Sequence, residues 1–122
     1  MNTRQLGITW FRAHKGTPSG RIHVSKYYDG DESWTHRPVW WFEISASVLE
    51  DDDEIHLLCQ KADPPEDFHC LRVPTAFLRA RLTDLWVRKD KGRLSLFLSA
   101  EEHNRFEEMR GKGGVLFTQF LV

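Results

Sequence analysis

A chain of 122 residues, 40% hydrophobic and 29% charged, has the size and composition of one globular domain that needs neither metal nor disulfide to bury a core. Its longest apolar run, Val39-Trp40-Trp41-Phe42, is far short of the ~20 residues of a membrane helix, and the polar start Met1-Asn2-Thr3-Arg4-Gln5 lacks the apolar stretch of a secretory leader. A formal net charge of −1 excludes global basicity as an argument for a nucleic-acid partner, and the expectation is a soluble cytoplasmic protein with no membrane partner.

Taken in chain order, Leu6, Ile8 and Trp10 alternate with Gly7, Thr9 and Phe11, which predicts a strand. The polar stretch His14 to Gly20 breaks the chain, and Ile22 and Val24 open a second strand running to Tyr28, so the first 28 residues read as a long-looped hairpin. Asp29-Gly30-Asp31-Glu32 is a turn by composition. Val39 to Ala46 is aromatic and β-branched and predicts a buried, central strand.

Asp51 to Glu54 is a solvated connection, and strands Ile55–Lys61 and Phe68–Val73 flank Asp63-Pro64-Pro65-Glu66-Asp67, a second hairpin. If its turn centres on Pro64-Pro65, Cys59 faces Cys70 and the thiols become cross-strand neighbours, close enough for a disulfide to be conceivable although an intracellular setting favours reduced thiols. The same pairing puts His56 and His69 on the opposite face, so these four side chains do not converge on one metal ion.

A helix is predicted over about 75–82, started by Pro74, and a second over 100–110. The second carries Ser99 as N-cap, Glu102 as capping-box partner, Gly111 as its stop, and Ala100, His103, Phe106 and Met109 on one face. Between them Leu94, Leu96 and Leu98 alternate as a strand, and Val115 to Val122 is a closing strand or a short helical turn. The expected fold is α+β: residues 1–122 form a single domain, a mainly antiparallel, curved or partly closed sheet of five to seven strands with two helices packed on it.

Specific catalytic signatures are missing. No Gly-x-Ser-x-Gly elbow, Cys-x-x-Cys pair or phosphate-binding loop is present, and Gly111-Lys112-Gly113-Gly114 sits after a predicted helix, where it reads as a stop. Asp29, Asp31 and Glu32 are the only basis for a metal-assisted hydrolase, a third reading with poor specificity. No cofactor and no resident metal are expected.

Charge and aromatics carry the rest. Lys/Arg against Asp/Glu number six and four in residues 1–45, one and eight in 46–70, and ten and six in 71–122, so the surface is expected to be bipolar. Five tryptophans are many for this length; most serve cores, yet Trp40 and Trp41 in one strand must face opposite ways, and one of them is a candidate for exposure. The leading expectation is a non-catalytic binding module for nucleic acid or a base-like ligand. Its aromatic platform is Tyr28, Trp34 and Trp40 beside Arg37, and its basic face is drawn from Arg79, Arg81, Arg88, Lys89, Lys91, Arg93, Arg105, Arg110 and Lys112. The alternative is a protein-interaction or regulatory module of a larger bacterial-type system, meeting a protein partner or another copy through its bipolar surface or a strand edge.

Overall fold

Residues Thr3–Lys15 form a helix, not a strand. The structure, a computed structural model, describes residues 1–122 and contains helix α1 (Thr3–Lys15), strands β1 (Ile22–Ser25) and β2 (Val39–Ser45), helix α2 (Ala46–Asp51), β3 (Glu54–Gln60), β4 (Phe68–Pro74), helix α3 (Thr75–Ala80), β5 (Trp86–Arg88) and β6 (Arg93–Ser99). Helix α1 begins in a capping box: Gln5 N–H donates to the Asn2 side chain, and Asn2 N–H donates to the Gln5 side chain. The apparent alternation of Leu6, Ile8 and Trp10 is overridden because Leu6, Gly7, Trp10 and Phe11 also fall on one helical face, and that face packs on a sheet. Gly7 permits the close approach, since a Cβ there would lie 2.8 Å from a Val24 methyl.

The fold is α+β, and its strands divide into two sheets of three, β1-β3-β4 and β2-β6-β5, in place of the one larger sheet expected. All neighbours are antiparallel except β1 and β3, which run parallel. The two inner faces bury one core: Ile55, Leu57, Leu71 and Val73 from the first sheet meet Trp40, Phe42, Ile44, Leu94, Leu96 and Leu98 from the second. Helix α1 covers the outer face of the first sheet with Phe11 against Leu58, Phe68 and Cys70. The order of layers is therefore α1, sheet β1-β3-β4, sheet β2-β6-β5.

The hairpin register differs by one from the expected pairing. Lys61 N–H donates to Asp67 O, so the loop holds five residues, Leu58 stands opposite Cys70, and Cys59 opposite His69. A one-residue slip sends neighbouring side chains to opposite faces. Cys59 enters the inner core and Cys70 the layer under α1; both are free, buried thiols, and burial holds each above the ordinary thiol value.

Helix α3 stands where a helix was expected, while residues 100–110 form only a short 3-10 turn at Glu102–Asn104. Ser99 Oγ accepts from Glu101 N–H just ahead of that turn, which has no side-chain cap; Phe106 then takes φ 68° and the chain doubles back. The reason lies in the edge of β6. Strand β5 pairs with β6 only over Arg93 to Ser95, so the backbone groups of Phe97 to Ser99 need other partners. Residues 107–109 supply them: Ser99 N–H donates to Glu107 O, and Met109 N–H to Phe97 O.

One donor falls in the gap between β5 and this added segment, the N–H of Phe97, and it is taken by the side chain of Glu108 at 2.8 Å. Glu108 is 1% exposed, and its carboxylate also accepts from Arg110 N–H at 3.1 Å and Gly111 N–H at 2.7 Å. Gly111 is placed so close to the start of β5 that a Cβ would run into Asp84 O. Because Glu108→Ala removes the acceptor of three part-buried N–H groups, and one fully buried unpaired donor alone costs roughly 1–3 kcal/mol, the variant is expected to lose about 2 kcal/mol or more of stability. Urea unfolding followed by tryptophan fluorescence measures it; an unchanged midpoint would remove the carboxylate from this role.

Candidate functional site

Strand alternation sets the outer face of β2-β6-β5. Trp41 stands opposite Phe97, Glu43 opposite Ser95, and Ser95 in turn opposite Trp86, while Arg88 stands opposite Arg93 at the end of the sheet. No helix covers this face. The loop between β1 and β2 leans over one side of it, pinned at its base by reciprocal backbone bonds between Tyr28 and Val39 and narrowed by a tight turn at Glu32–Thr35 that presents Trp34.

The result is a continuous aromatic row. The Trp34 ring lies 4.8 Å from Tyr28, 5.4 Å from Trp41 and 5.2 Å from Phe97, in tilted or edge-on geometry suited to aromatic quadrupoles. The Arg110 guanidinium follows, 4.7 Å from the Phe97 ring and 5.3 Å from the Trp86 ring. Trp34 and Trp86, at the two ends, are 39% and 47% exposed. Together Trp34, Trp41, Phe97, Arg88 and Arg110 line a groove of about 380 Å³, and a neighbouring cleft that shares Arg88 and Arg110 with it is lined by Trp86, Val87, Lys89 and Asp90.

Polar contacts fix the groove from below. Ser95 Oγ accepts from Arg110 Nη1 at 2.8 Å and from Trp41 Nε1 at 3.2 Å, so one buried hydroxyl orients both groups. Arg88 donates to Glu43 Oε1 at 2.6 Å and is also paired with Asp90, and those two carboxylates hold it above the usual arginine value. Arg110 makes no ion pair: its charge is offset only by π-faces and a hydroxyl.

The expected site residues separate accordingly. Tyr28, Trp34, Arg88, Lys89 and Arg110 come together at the groove, and Arg93 shares its face by alternation. Lys91 is exposed in the β5–β6 turn, and Lys112 is exposed in a loop whose N–H donates to Asp84 O just before β5. Trp40 is a correction: it is 2% exposed, stacks on Phe106 and donates through Nε1 to Gln60 O in the core. Arg37 is drawn to Glu101. Arg79 ties α3 to α2 through Leu49 O, and Arg81 lies over Phe77, so both serve the helical side of the molecule. Arg105 borders a separate cleft with His69 and His103.

Trp41, Phe97, Trp86, Glu43 and Ser95 were not among the expected residues. A signal for the first was present, since Trp40 shares alternation with Phe42 and Ile44 whereas Trp41 shares it with Glu43 and Ser45.

A second polar cluster lies beyond the C-terminal end of α1. Ser19 Oγ donates to Glu54 at 2.6 Å and therefore accepts from His56 Nε2 at 3.3 Å, leaving buried His56 Nδ1 without a partner. This order does not activate a nucleophile: the carboxylate that takes the serine proton is itself clamped by Arg72, which lowers its affinity for protons. Elsewhere, no group of three or more His, Cys, Asp or Glu side chains is gathered to hold a metal ion, Asp29, Asp31 and Glu32 included. No helix is long and apolar enough to cross a membrane. No protein-family model, curated protein or solved structure matches the chain.

Burial lowers the proton affinity of His23, His56 and His69 below the ordinary 6.5. The unfolded chain then binds more protons than the folded one just below that value, so stability falls as pH drops through about 6.5. The urea midpoint is expected to be lower at about pH 5.5 than at about pH 7.5, above the acid range in which Glu54, Asp67 and Asp90 titrate. His56→Phe, which keeps a ring against Phe11, reduces that difference; an equal difference in the variant would show that His56 does not contribute.

Proposed function

We propose that this chain is a non-catalytic binding module whose open β2-β6-β5 face takes nucleic acid or a base-like ligand. The observation that carries the reading is Arg110, a guanidinium without a counter-ion, laid over Phe97 and Trp86 in a groove floored by aromatics. A planar π-surface beside an unneutralised cation offers stacking to a base and an electrostatic partner to its phosphate at the same time. Lys89 and Arg93 add exposed charge to the same side, so the local balance is positive although the chain as a whole is not. Such a patch gives modest, salt-sensitive affinity in place of duplex-style multiple phosphate clamping.

Anisotropy of labelled DNA and RNA oligonucleotides at low and high salt tests the proposal. Binding that weakens with salt, and weakens roughly tenfold further in Arg110→Gln, is the expected result, with Arg81→Ala behaving as the unaltered protein. Absence of binding up to roughly 100 µM protein, the weak end of sequence-independent affinity, would overturn it.

A second reading rests on a different feature. Strand β5 ends its sheet, and Val87 on it is 43% exposed, so an unpaired edge is offered to a protein strand or another copy. Concentration-dependent mass in sedimentation, with no oligonucleotide binding, would favour it.

A further inference from the structure

We infer that the groove accommodates an unpaired strand and rejects a duplex, with one base on Trp34 and another on the Trp86–Arg110 pair. This rests on the reading of the same face as a nucleic-acid surface and adds the form of the substrate. The argument begins with what is exposed. The two accessible indoles stand at opposite ends of one row, Trp34, Phe97, Arg110, Trp86, whose successive members are 5.2, 4.7 and 5.3 Å apart. The row crosses the sheet from the β1–β2 loop to β5.

A duplex cannot use such a row. Its base faces are occupied by their stacked neighbours, and only edges and phosphates are presented outward. Reading those edges needs a helix or ribbon that enters a groove, whereas this face is three strands wide and its rings are side-chain platforms tilted against one another. An unpaired strand has its base faces free, and aromatic rings and guanidinium planes on an open sheet take them in succession.

Charge points the same way. Arg88 is already shared by Glu43 and Asp90, so the groove itself has two free cations, Arg110 and Lys89. Two phosphate contacts on a single strand imply a slope of roughly −1.4 for log affinity against log salt. That is too shallow to hold a duplex by its backbone alone.

The test compares a labelled thymidine oligomer, a uridine oligomer and a blunt duplex of equal length, reading anisotropy and tryptophan fluorescence across a salt series. Both unpaired oligomers are expected to bind at least tenfold tighter than the duplex and to quench the indoles, with the shallow slope above. Trp34→Ala and Trp86→Ala are each expected to weaken binding roughly tenfold. Where Trp34→Ala loses its fold by circular dichroism, Trp34→Leu keeps apolar volume without a π-face and gives the same readout.

Equal or tighter binding of the duplex overturns this inference and leaves the nucleic-acid reading standing. Single-strand binding indifferent to both tryptophans, or a steep salt slope, also overturns it, by placing the contact elsewhere. A difference between the thymidine and uridine oligomers of less than tenfold supports a site that reads base faces; exclusive binding of one sugar type would overturn stacking as its basis. Binding of neither oligomer nor duplex ends both readings, and a dimer abolished by Trp86→Ala would assign the face to a second copy of the chain.

Discussion

Strand β6 must have its backbone satisfied on both sides, and the protein meets that demand with a carboxylate. One edge is fully paired by β2, but β5 is three residues long and covers less than half of the other. The chain that follows β6 returns at Glu107–Met109 to complete that edge, and Glu108 turns inward to take the one N–H that falls between the two partial neighbours. The same carboxylate accepts the backbone N–H groups of Arg110 and Gly111, so closing the sheet edge and positioning Arg110 are one event. Arg110 then reaches Ser95 on β6 itself. The candidate groove is thus built on the strand whose edge Glu108 completes.

That dependence explains which parts of the fold were legible in advance. Strands β2, β3, β4 and β6 and helix α3 follow from local patterns because their side-chain periods agree with their tertiary environment. Residues 99–111 have a convincing local signature for a helix, a Ser99 cap, Glu102 and a terminal glycine, but helix formation would leave the β6 edge open. An unpaired buried donor costs more than a short helix returns, so the non-local demand prevails. The strength of that demand depends on the length of β5, which no local pattern around residue 100 reveals.

Helix α1 failed for the opposite reason: the information was local but ambiguous. Leu6, Ile8 and Trp10 satisfy period two, while Leu6, Gly7, Trp10 and Phe11 satisfy a helical stripe. The capping box of Asn2 and Gln5 breaks the tie, because reciprocal side-chain bonds to backbone donors have a use at a helix start and none in a strand. The hairpin slip is of a third kind, since a run with two prolines permits loop centres one residue apart, and the cysteines change faces with the choice. Of the site, the basic and aromatic composition was legible while the partners were not. Trp86 joins Phe97 through Arg110, a contact spanning two strands and a returning loop.

The uneven treatment of the two outer faces bears on what the protein does. Helix α1 lies on the first sheet and seals its apolar outer positions, Leu58, Phe68 and Cys70. The second sheet has no such cover: after β6, residues 107–109 go to its edge, and the C-terminal Leu121 and Val122 pair with Leu71 and Cys70 on β4 of the first sheet. An antiparallel sheet with one solvated face ordinarily alternates apolar inward with polar outward. Here the outward positions include Trp41, Phe97 and Trp86, joined by Trp34 from a loop, and the interspersed polar groups are tied to each other or to the rings. Stability alone does not call for indoles on water-facing positions, where a threonine or lysine preserves the strand and improves solubility. An aromatic row with a cation held within it costs solubility in the free protein, and under the proposed function that cost is recovered when a planar, anionic partner is laid across it.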